Sequence, residues 1–443
     1  GDEVNAVVAD FGAHSVKAGY AGEDAPKAVF PSCYGELPRG DGGKEATTNG
    51  GAQGGGAGGG ARPLVVGNGV TYRREHMEVK PMVEGGVVKD WDAFEATWHH
   101  VLHERLRVDP VEHPILLAEA PLNPREAREK TVELLFEKFQ SPAVFLAKSP
   151  VLSAFSIGRP TALVVDMGHD GCLTSAVHDG YVLQKSVRSL GLGGRHLTRQ
   201  MLKSIQGSGV EVLPRYAFKR VEAKAGQWEV EKLDVPNTSD SFREFMTEAV
   251  AEDVKESVCR LSDQAFDVAA NANMPTAPYE LPDGTEVQIG SDRFRIPEAL
   301  FRPGILVEGE RDGPKAMEVD ETKPAGMNGA QGAGAGRGLA ELVMETMRGV
   351  DVDVSKELFG SIVLTGGGSM LPNTRERLER ELLELAPAHA RVKVITSLST
   401  VERCFSSWIG GSILSSLGSF QQMWMSQEEY KEHGAGYIHR KAP

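Results

Sequence analysis

The chain has little cysteine, little aromatic character and no long apolar run. Four cysteines occur in 443 residues, Cys33, Cys172, Cys259 and Cys404, and they form no Cys-x-x-Cys pair or Cys/His cluster. That distribution argues against a disulfide scaffold or a structural zinc and points to a reducing compartment. No stretch approaches the roughly 20 apolar residues of a membrane span, and Gly1 to Asp10 lacks the basic and apolar regions of a signal peptide. Positive charge is also short: the net charge is −14, and Lys219-Arg220 is too small a cluster to read as a nuclear import signal. A surface for nucleic acid needs a basic footprint, so the balance favours a basic protein partner such as a histone tail. What is present, 40% apolar and 25% charged residues, is the composition of a soluble globular protein. The length suggests two or three domains.

The most informative stretch is Thr161 to Gln184, TALVVDMGHDGCLTSAVHDGYVLQ. An apolar run ends at Asp166 and Gly168, and two further runs follow, Cys172 to Val177 and Tyr181 to Val187, which reads as a β-meander. The start of the chain repeats this pattern: Val4 to Ala9 leads into Asp10 and Gly12, and Ser15 to Tyr20 follows with Lys17. Two strand–Asp-x-Gly hairpins predict two related domains facing one another across a phosphate site. Glycine lets backbone N–H groups approach phosphate oxygens, a carboxylate at each tip can hold the accompanying metal through water, and Lys17 adds a point charge. Singly, an Asp-Gly hairpin is more often only a turn.

Between and beyond the hairpins the order is β, α, β, α, β, an α/β layer pattern. Pro114 to Glu119 and Ala143 to Ala147 read as strands. Pro124 opens a helix with Val132, Leu135, Phe136 and Phe139 on one face, and Pro150 to Phe155 is a short helix. Trp91 to Arg107 reads as a helix whose His99, His100 and His103 lack an obvious acidic partner, so packing is a better reading than a metal site. Leu192-Gly-Gly-Arg195 precedes a helix with Leu197, Met201 and Leu202. Ser241 to Leu261 is a long amphipathic helix with Lys255 and Glu256, and Tyr279 to Pro303 reads as a strand pair around Pro282-Asp283-Gly284. Ser361 to Leu364 runs into Thr365-Gly-Gly-Gly, and a helix follows from Thr374 to Leu385. Such a turn suits a nucleotide base or sugar, or is simply a tight β–α connection. The closing helix, Ser406 to Phe420, carries Gly410-Gly411 for close backbone approach. Periodicity is lost from Phe30 to Arg62, where the almost pure glycine run Asn49 to Gly60 is expected to be a mobile loop, and again from Glu308 to Gly338, which is expected to be a second, disordered insertion.

The segments VEHPILLAEAPLNPREAREK (Val111 to Lys130), VLSAFSIGR (Val151 to Arg159), VLTGGGSMLP (Val363 to Pro372) and WIGGSILSSL (Trp408 to Leu417) together resemble actin and the actin-related proteins. The likeness covers nearly the whole chain outside the two insertions, and LPDG with IGSDRFRIPEALFRP (Leu281 to Pro303) adds to it. The C-terminal GSFQQMWMSQEEYKEHGAGYIHRKAP is most similar to the nuclear class of actin-related proteins found in chromatin-remodelling and histone-acetyltransferase complexes. The resemblance implies an actin-like α/β fold of two related domains around a nucleotide cleft. Residues 1–156 with 406–443 would form one domain, with a loop at about 39–61. Residues 157–405 would form the other, with an insertion at about 308–338.

It also implies ATP with Mg²⁺. Asp10, Gly12 and Lys17 match the first phosphate loop, though Ala13 replaces a serine, and Phe11 and His14 replace small or polar residues. Asp166 and Gly168 match the second loop, where His169 and Asp170 replace Asp-Gly. Asp10 and Asp166 would hold the metal through water. Lys255 and Glu256 match the pair beside ribose and base, Gly366, Gly367 and Met370 match the adenosine turn, and Cys404 replaces a lysine. Ser149 and Leu173 stand where the family carries the glutamine and histidine that position attacking water, so the expectation is binding without useful turnover. The partners implied are actin and a helix of a remodelling ATPase or scaffold subunit, seated near Ser149, Val151 and Phe155. Histones are a further partner suggested by charge, the compartment expected is the nucleus, and the alternative is a working, polymerising ATPase. Polymerisation is expected to fail because the glycine-rich run offers no apolar anchor.

Overall fold

The computed structural model describes residues 5–39, 62–306 and 337–443. Both expected insertions lie almost wholly outside these residues. Arg337 and Gly338 are the exception: Gly338 precedes a helix, its N–H donating to the Glu341 carboxylate at 3.0 Å, so the second insertion stops short of them.

Two mixed sheets organise the chain. In the first, β1 (Val7–Phe11), β2 (Ser15–Tyr20) and β3 (Ala28–Pro31) form an antiparallel meander, and β4 (Ile115–Glu119) and β5 (Ala143–Lys148) continue parallel to β1 in the order β5-β4-β1-β2-β3. A short strand at Met425–Ser426 closes the β5 edge. In the second, β6 (Ala162–Met167), β7 (Cys172–His178) and β8 (Tyr181–Val182) repeat the meander. There β9 (Ile362–Thr365) and β10 (Val394–Ile395) lie parallel to β6, in the order β8-β7-β6-β9-β10. The two sheets are one plan used twice. Parallel strands buried on both faces read as apolar runs rather than alternating ones, as VVA of β1, ILLA of β4 and IVL of β9 do.

The helices repeat as well. α1 (Arg125–Glu133) joins β4 to β5, and α2 (Ser149–Ser156) leaves β5 for β6. α6 (Thr374–Leu385) joins β9 to β10, and α7 (Thr400–Cys404) and α8 (Ser406–Ser416) leave β10 for the first sheet. Between them α3 (Gly194–Gly207), α4 (Asp240–Val258) and α5 (Leu339–Arg348) cover the second sheet. One core gathers side chains between residues 6 and 152 with the C-terminal segment, including Trp98, Leu116 and Trp408. The other gathers residues from Leu163 to Val394, including Met201, Val254 and Leu378.

The chain therefore crosses between sheets twice, through α2 and through α7–α8, and the crossings pack on each other. At Gly410 a β-carbon would lie 1.9 Å from the Leu152 carbonyl oxygen, and at Gly411 one would lie 2.9 Å from Val8 Cγ1, so only glycine permits this approach. Ser153 and Ser406 hydroxyls meet at 2.9 Å, Ser406 and Thr365 at 2.6 Å, and Trp408 Nε1 donates to the Val8 carbonyl at 2.9 Å. Away from this base the halves meet again: Val65 and Met77 pack with Phe242 of α4, and Val79 N–H donates to Ser241 Oγ at 2.9 Å.

Three expectations change. Tyr279 to Pro303 is a strand pair only as far as Ile289 (Ala277–Glu280 with Glu286–Ile289), and Asp292–Glu298 is helical despite Pro297. The carbonyl of Arg293, which a proline at 297 cannot engage, accepts instead from Arg260 N–H at 3.1 Å. The third run of the meander pairs only at Tyr181–Val182, Gln184–Ser186 forms a turn of 3₁₀ helix, and Arg188–Leu190 returns to pair with the other end of β7. The histidines on Trp91–His99 and the following turn do have an acidic neighbour, because His100 Nδ1 lies 2.7 Å from Glu104 Oε2. It is a pair at i and i+4, and His99 packs against His103 with centroids 4.4 Å apart and ring planes tilted by 49°.

Candidate functional site: a carboxylate pair between two glycine hairpins

The tips of the two equivalent hairpins are built alike. Gly12 N–H donates to the Ser15 carbonyl at 3.1 Å, and Gly168 N–H donates to the Gly171 carbonyl at 2.9 Å. Each aspartate is the second-last residue of the first strand of its hairpin: Asp10 pairs in register with Lys17 across β1–β2, and Asp166 pairs with Leu173 across β6–β7. Lys17 Nζ lies 3.7 Å from Asp10 Oδ2 and would be 3.0 Å from a β-carbon on Gly12, so its ammonium sits over the bare turn. Leu173 occupies the position equivalent to Lys17, and the second hairpin carries an apolar side chain there.

The hairpins face one another. Burial pushes the Asp166 carboxyl up to about 6, the Asp10 charge adds to that, and Lys17 opposes it. Such a carboxylate pair with one cation is short of positive charge and fits a divalent ion held through water. Gly366 approaches Asp166 from β9: its φ is +89°, and a β-carbon there would lie 2.4 Å from Asp166 Oδ1. Gly366 N–H donates to the Arg403 carbonyl at 3.1 Å, which ties this turn to α7. Beyond it Gly367 is exposed, with open space where a β-carbon would go, and Met370 is half-buried, a bare-backbone cradle for a flat ligand.

Cys404 closes the same region. Burial raises its thiol, the Glu256 charge adds to this, and Lys17 works against it, so Cys404, Glu256 and Lys17 converge. Glu256 is itself raised, by desolvation and then by Glu252. Lys255 is placed differently: its buried ammonium donates to Thr198 Oγ1 at 3.0 Å and to the Gly194 carbonyl at 3.2 Å, tying α4 to the start of α3. Gly168 and His169 carbonyls in turn accept from Gly194 and Arg195 N–H at 3.0 and 2.9 Å. Ala13 is half-buried at the first tip, and Asp170 turns away from it to accept from Gly85 N–H at 3.0 Å. An open depression of about 300 Å³ lined by Gln264, Arg380 and Glu384 shares none of these residues.

Two residues were missed from sequence. Glu252 lies three residues before Lys255 on α4, and that spacing puts both on one helix face. Burial alone would raise its carboxyl, but the His14 hydrogen bond and the charges of His14, Lys255 and His169 together hold it at about 2. Thr198 carries no signal that a linear reading could use. At the other end of α2, Ser149 is the first helical residue, and Val151 and Phe155 stand half-buried one turn apart. Ile413 and Leu417, both 37% exposed, provide further apolar surface on and just after α8.

The actin family model matches residues 1–443. The chain belongs to the actin family. Within that family it is 48% identical to Actin-related protein 4 of Arabidopsis thaliana, covering 100% of this chain and 99% of the relative. It is 47% identical to Actin-related protein 4 of Oryza sativa subsp. japonica over the same shares, and 33% identical to Actin-related protein 4 of Schizosaccharomyces pombe over 98% and 96%. The repeated five-strand plan is thus the actin fold.

Proposed function

We propose that this actin-family chain is a structural subunit that binds ATP with Mg²⁺ between its hairpins and does not turn it over usefully. The observation that carries this reading is the asymmetry of the hairpins: Leu173 faces Asp166 where Lys17 faces Asp10, and Ser149, a short side chain, opens α2. Phosphoryl transfer to water needs polar groups that hold the nucleophile in line, and these two positions supply none of adequate reach. Asp10 and Asp166 would hold the metal through water. Gly12, Ala13, Lys17, Gly168 and His169 would surround the phosphates, and Glu256, Gly366, Gly367, Met370 and Cys404 the nucleoside. Lys255 would act by positioning the Gly194 turn.

Closure between the halves also rests on the protein's own contacts, at Phe242 with Met77 and at Gly85 with Asp170, which suits a rigid docking unit. The partners proposed are actin and an amphipathic helix of a nuclear remodelling ATPase or scaffold, laid along Val151, Phe155, Ile413 and Leu417. Histone binding would follow from the charge of −14. Affinity purification from nuclei tests the docking: wild type should bring actin and a remodelling subunit with it, and Phe155→Asp with Leu417→Asp should not. Recovery of the wild type as a free monomer would overturn it.

A pH dependence follows from Asp166. Its raised carboxyl means the folded chain disfavours the charged form, so the stability it contributes is full below about 3.8 and is lost as pH rises through about 6. Metal–nucleotide binding requires the charged form, so Mg²⁺-dependent nucleotide affinity should fall when pH drops from 7.5 to 5.5 by roughly tenfold or less. Equilibrium binding of a fluorescent ATP analogue would show it, and Asp166→Asn should flatten the profile as well as weaken binding.

A further inference from the structure

A second cluster lies beside the carboxylate pair, and of its three members the nucleotide reading uses only His169, as a neighbour of the phosphates. His14 projects from the first hairpin tip, His169 from the second, and Glu252 from the body of α4. Their donor atoms all lie within 4.8 Å of one another, with His14 Nε2 3.2 Å from Glu252 Oε1 and the imidazole centroids 4.9 Å apart. We propose that His14, His169 and Glu252 form a binding site for one divalent transition-metal ion of the zinc class.

The donor set selects the ion. Two imidazoles and a carboxylate suit Zn²⁺ and its neighbours, whereas Mg²⁺ and Ca²⁺ take oxygen ligands, so this site is chemically distinct from Asp10 and Asp166. Zinc bonds to nitrogen and oxygen of about 2.0–2.2 Å place neighbouring tetrahedral donors roughly 3.3–3.5 Å apart. A contraction of about 1 Å from the present spacing reaches that value, and His14, whose side chain is 56% exposed, is free to supply it. The other two are held. The His169 carbonyl accepts from Arg195 N–H at 2.9 Å, and Glu252 sits six residues before the end of α4. Arg195, a nearby cation, is turned toward Glu248, with Nε 3.8 Å from its carboxylate. Three protein ligands leave a fourth position for water or an anion oxygen.

Without an ion, His14 and Glu252 are a partly exposed pair that contributes little to stability. With one, both hairpins and α4 are joined through a single atom. The ion would hold the two halves together at a point that neither the α2–α8 base nor the Phe242 contact reaches.

The full chain, stripped with EDTA and free of nucleotide, is titrated with ZnCl₂ by calorimetry and with CoCl₂ by visible absorption. One tight equivalent, a raised melting temperature and a tetrahedral Co²⁺ spectrum are expected. His14→Asn and His169→Asn should each weaken binding more than about 100-fold, beyond the loss typical of an outer-shell partner, and abolish that spectrum. His14 is exposed, so its variant should retain the wild-type circular dichroism, and His103→Asn should bind as wild type does. A tight equivalent that survives both His14→Asn and His169→Asn, or no tight equivalent in the wild type, overturns the proposal. Because no nucleotide is present, neither result bears on ATP binding.

Discussion

Gly410→Ala is expected to destabilise the protein by about 3 kcal/mol or more, the upper end of the cost of overpacking. The added methyl would start 1.9 Å from the Leu152 carbonyl oxygen and 2.5 Å from its carbon, and both are backbone atoms of α2. Non-bonded contacts settle near 3.5 Å, so α2 and α8 would have to part by roughly 1.5 Å. Parting them also breaks Ser153–Ser406 and strains the Trp408–Val8 hydrogen bond, which tie the two chain crossings to both sheets. Gly207→Ala is the control, since open space surrounds its β-carbon position at the end of α3. Thermal melting should show a large drop for the first and little change for the second. Because this base joins the halves, Gly410→Ala should also lower nucleotide affinity.

The second large effect belongs to the ion pair under α6. Arg377 and Glu298 side chains are fully buried and doubly bonded at 2.7 and 2.8 Å, with the guanidinium also over the Phe301 ring at 4.7 Å. Glu298→Gln leaves a buried guanidinium short of charge, and breaking such a pair from one side costs about 3–5 kcal/mol. Glu381 remains as a partner to Arg377 Nε, which favours the lower end. The double change Arg377→Met with Glu298→Met should cost less than the sum of Arg377→Met and Glu298→Met, because the two fully buried charges leave together and the partners left behind, Arg302 and Glu381, are each partly exposed. Calorimetric melting of the four proteins completes the cycle. Equal, additive losses would mean that packing rather than charge dominates there.

These effects bear on how much of the molecule a linear reading can reach. Both Asp-x-Gly hairpins were readable, because each combines strand-length apolar runs with a glycine turn, and so were α2 and the glycine pair of α8; the third strand of the first meander, Ala28–Pro31, was not. The expectation of two related halves followed from the hairpins, while the five-strand order of each sheet did not. What was not readable depends on pairing. That Leu173 is the counterpart of Lys17 emerges only when β1–β2 and β6–β7 are laid in register. The destination of the Lys255 ammonium, Thr198 and the Gly194 carbonyl, depends on how α4 crosses α3.

The hairpin Phe218–Lys224 with Gln227–Lys232 left no core signal, because it is exposed along nearly all its length, Trp228 included. The helix Asp292–Glu298 was hidden by Pro297, whose cost is offset by the Arg260–Arg293 hydrogen bond. His14 and His169 were read as departures from a phosphate loop. Their meeting with Glu252 required three elements to be placed in space.

The account centres on a carboxylate pair equipped to hold a metal-bound phosphate in a site that lacks the groups to hydrolyse it. Its most direct test is to purify the full chain in Mg²⁺, extract the bound nucleotide with acid, and follow phosphate release by the same preparation in excess ATP. Bound ATP near one equivalent with negligible phosphate release is the predicted result. Release at an actin-like rate would contradict the inert-hairpin reading, and an extract without nucleotide, together with no uptake of added ATP, would contradict the clamp itself.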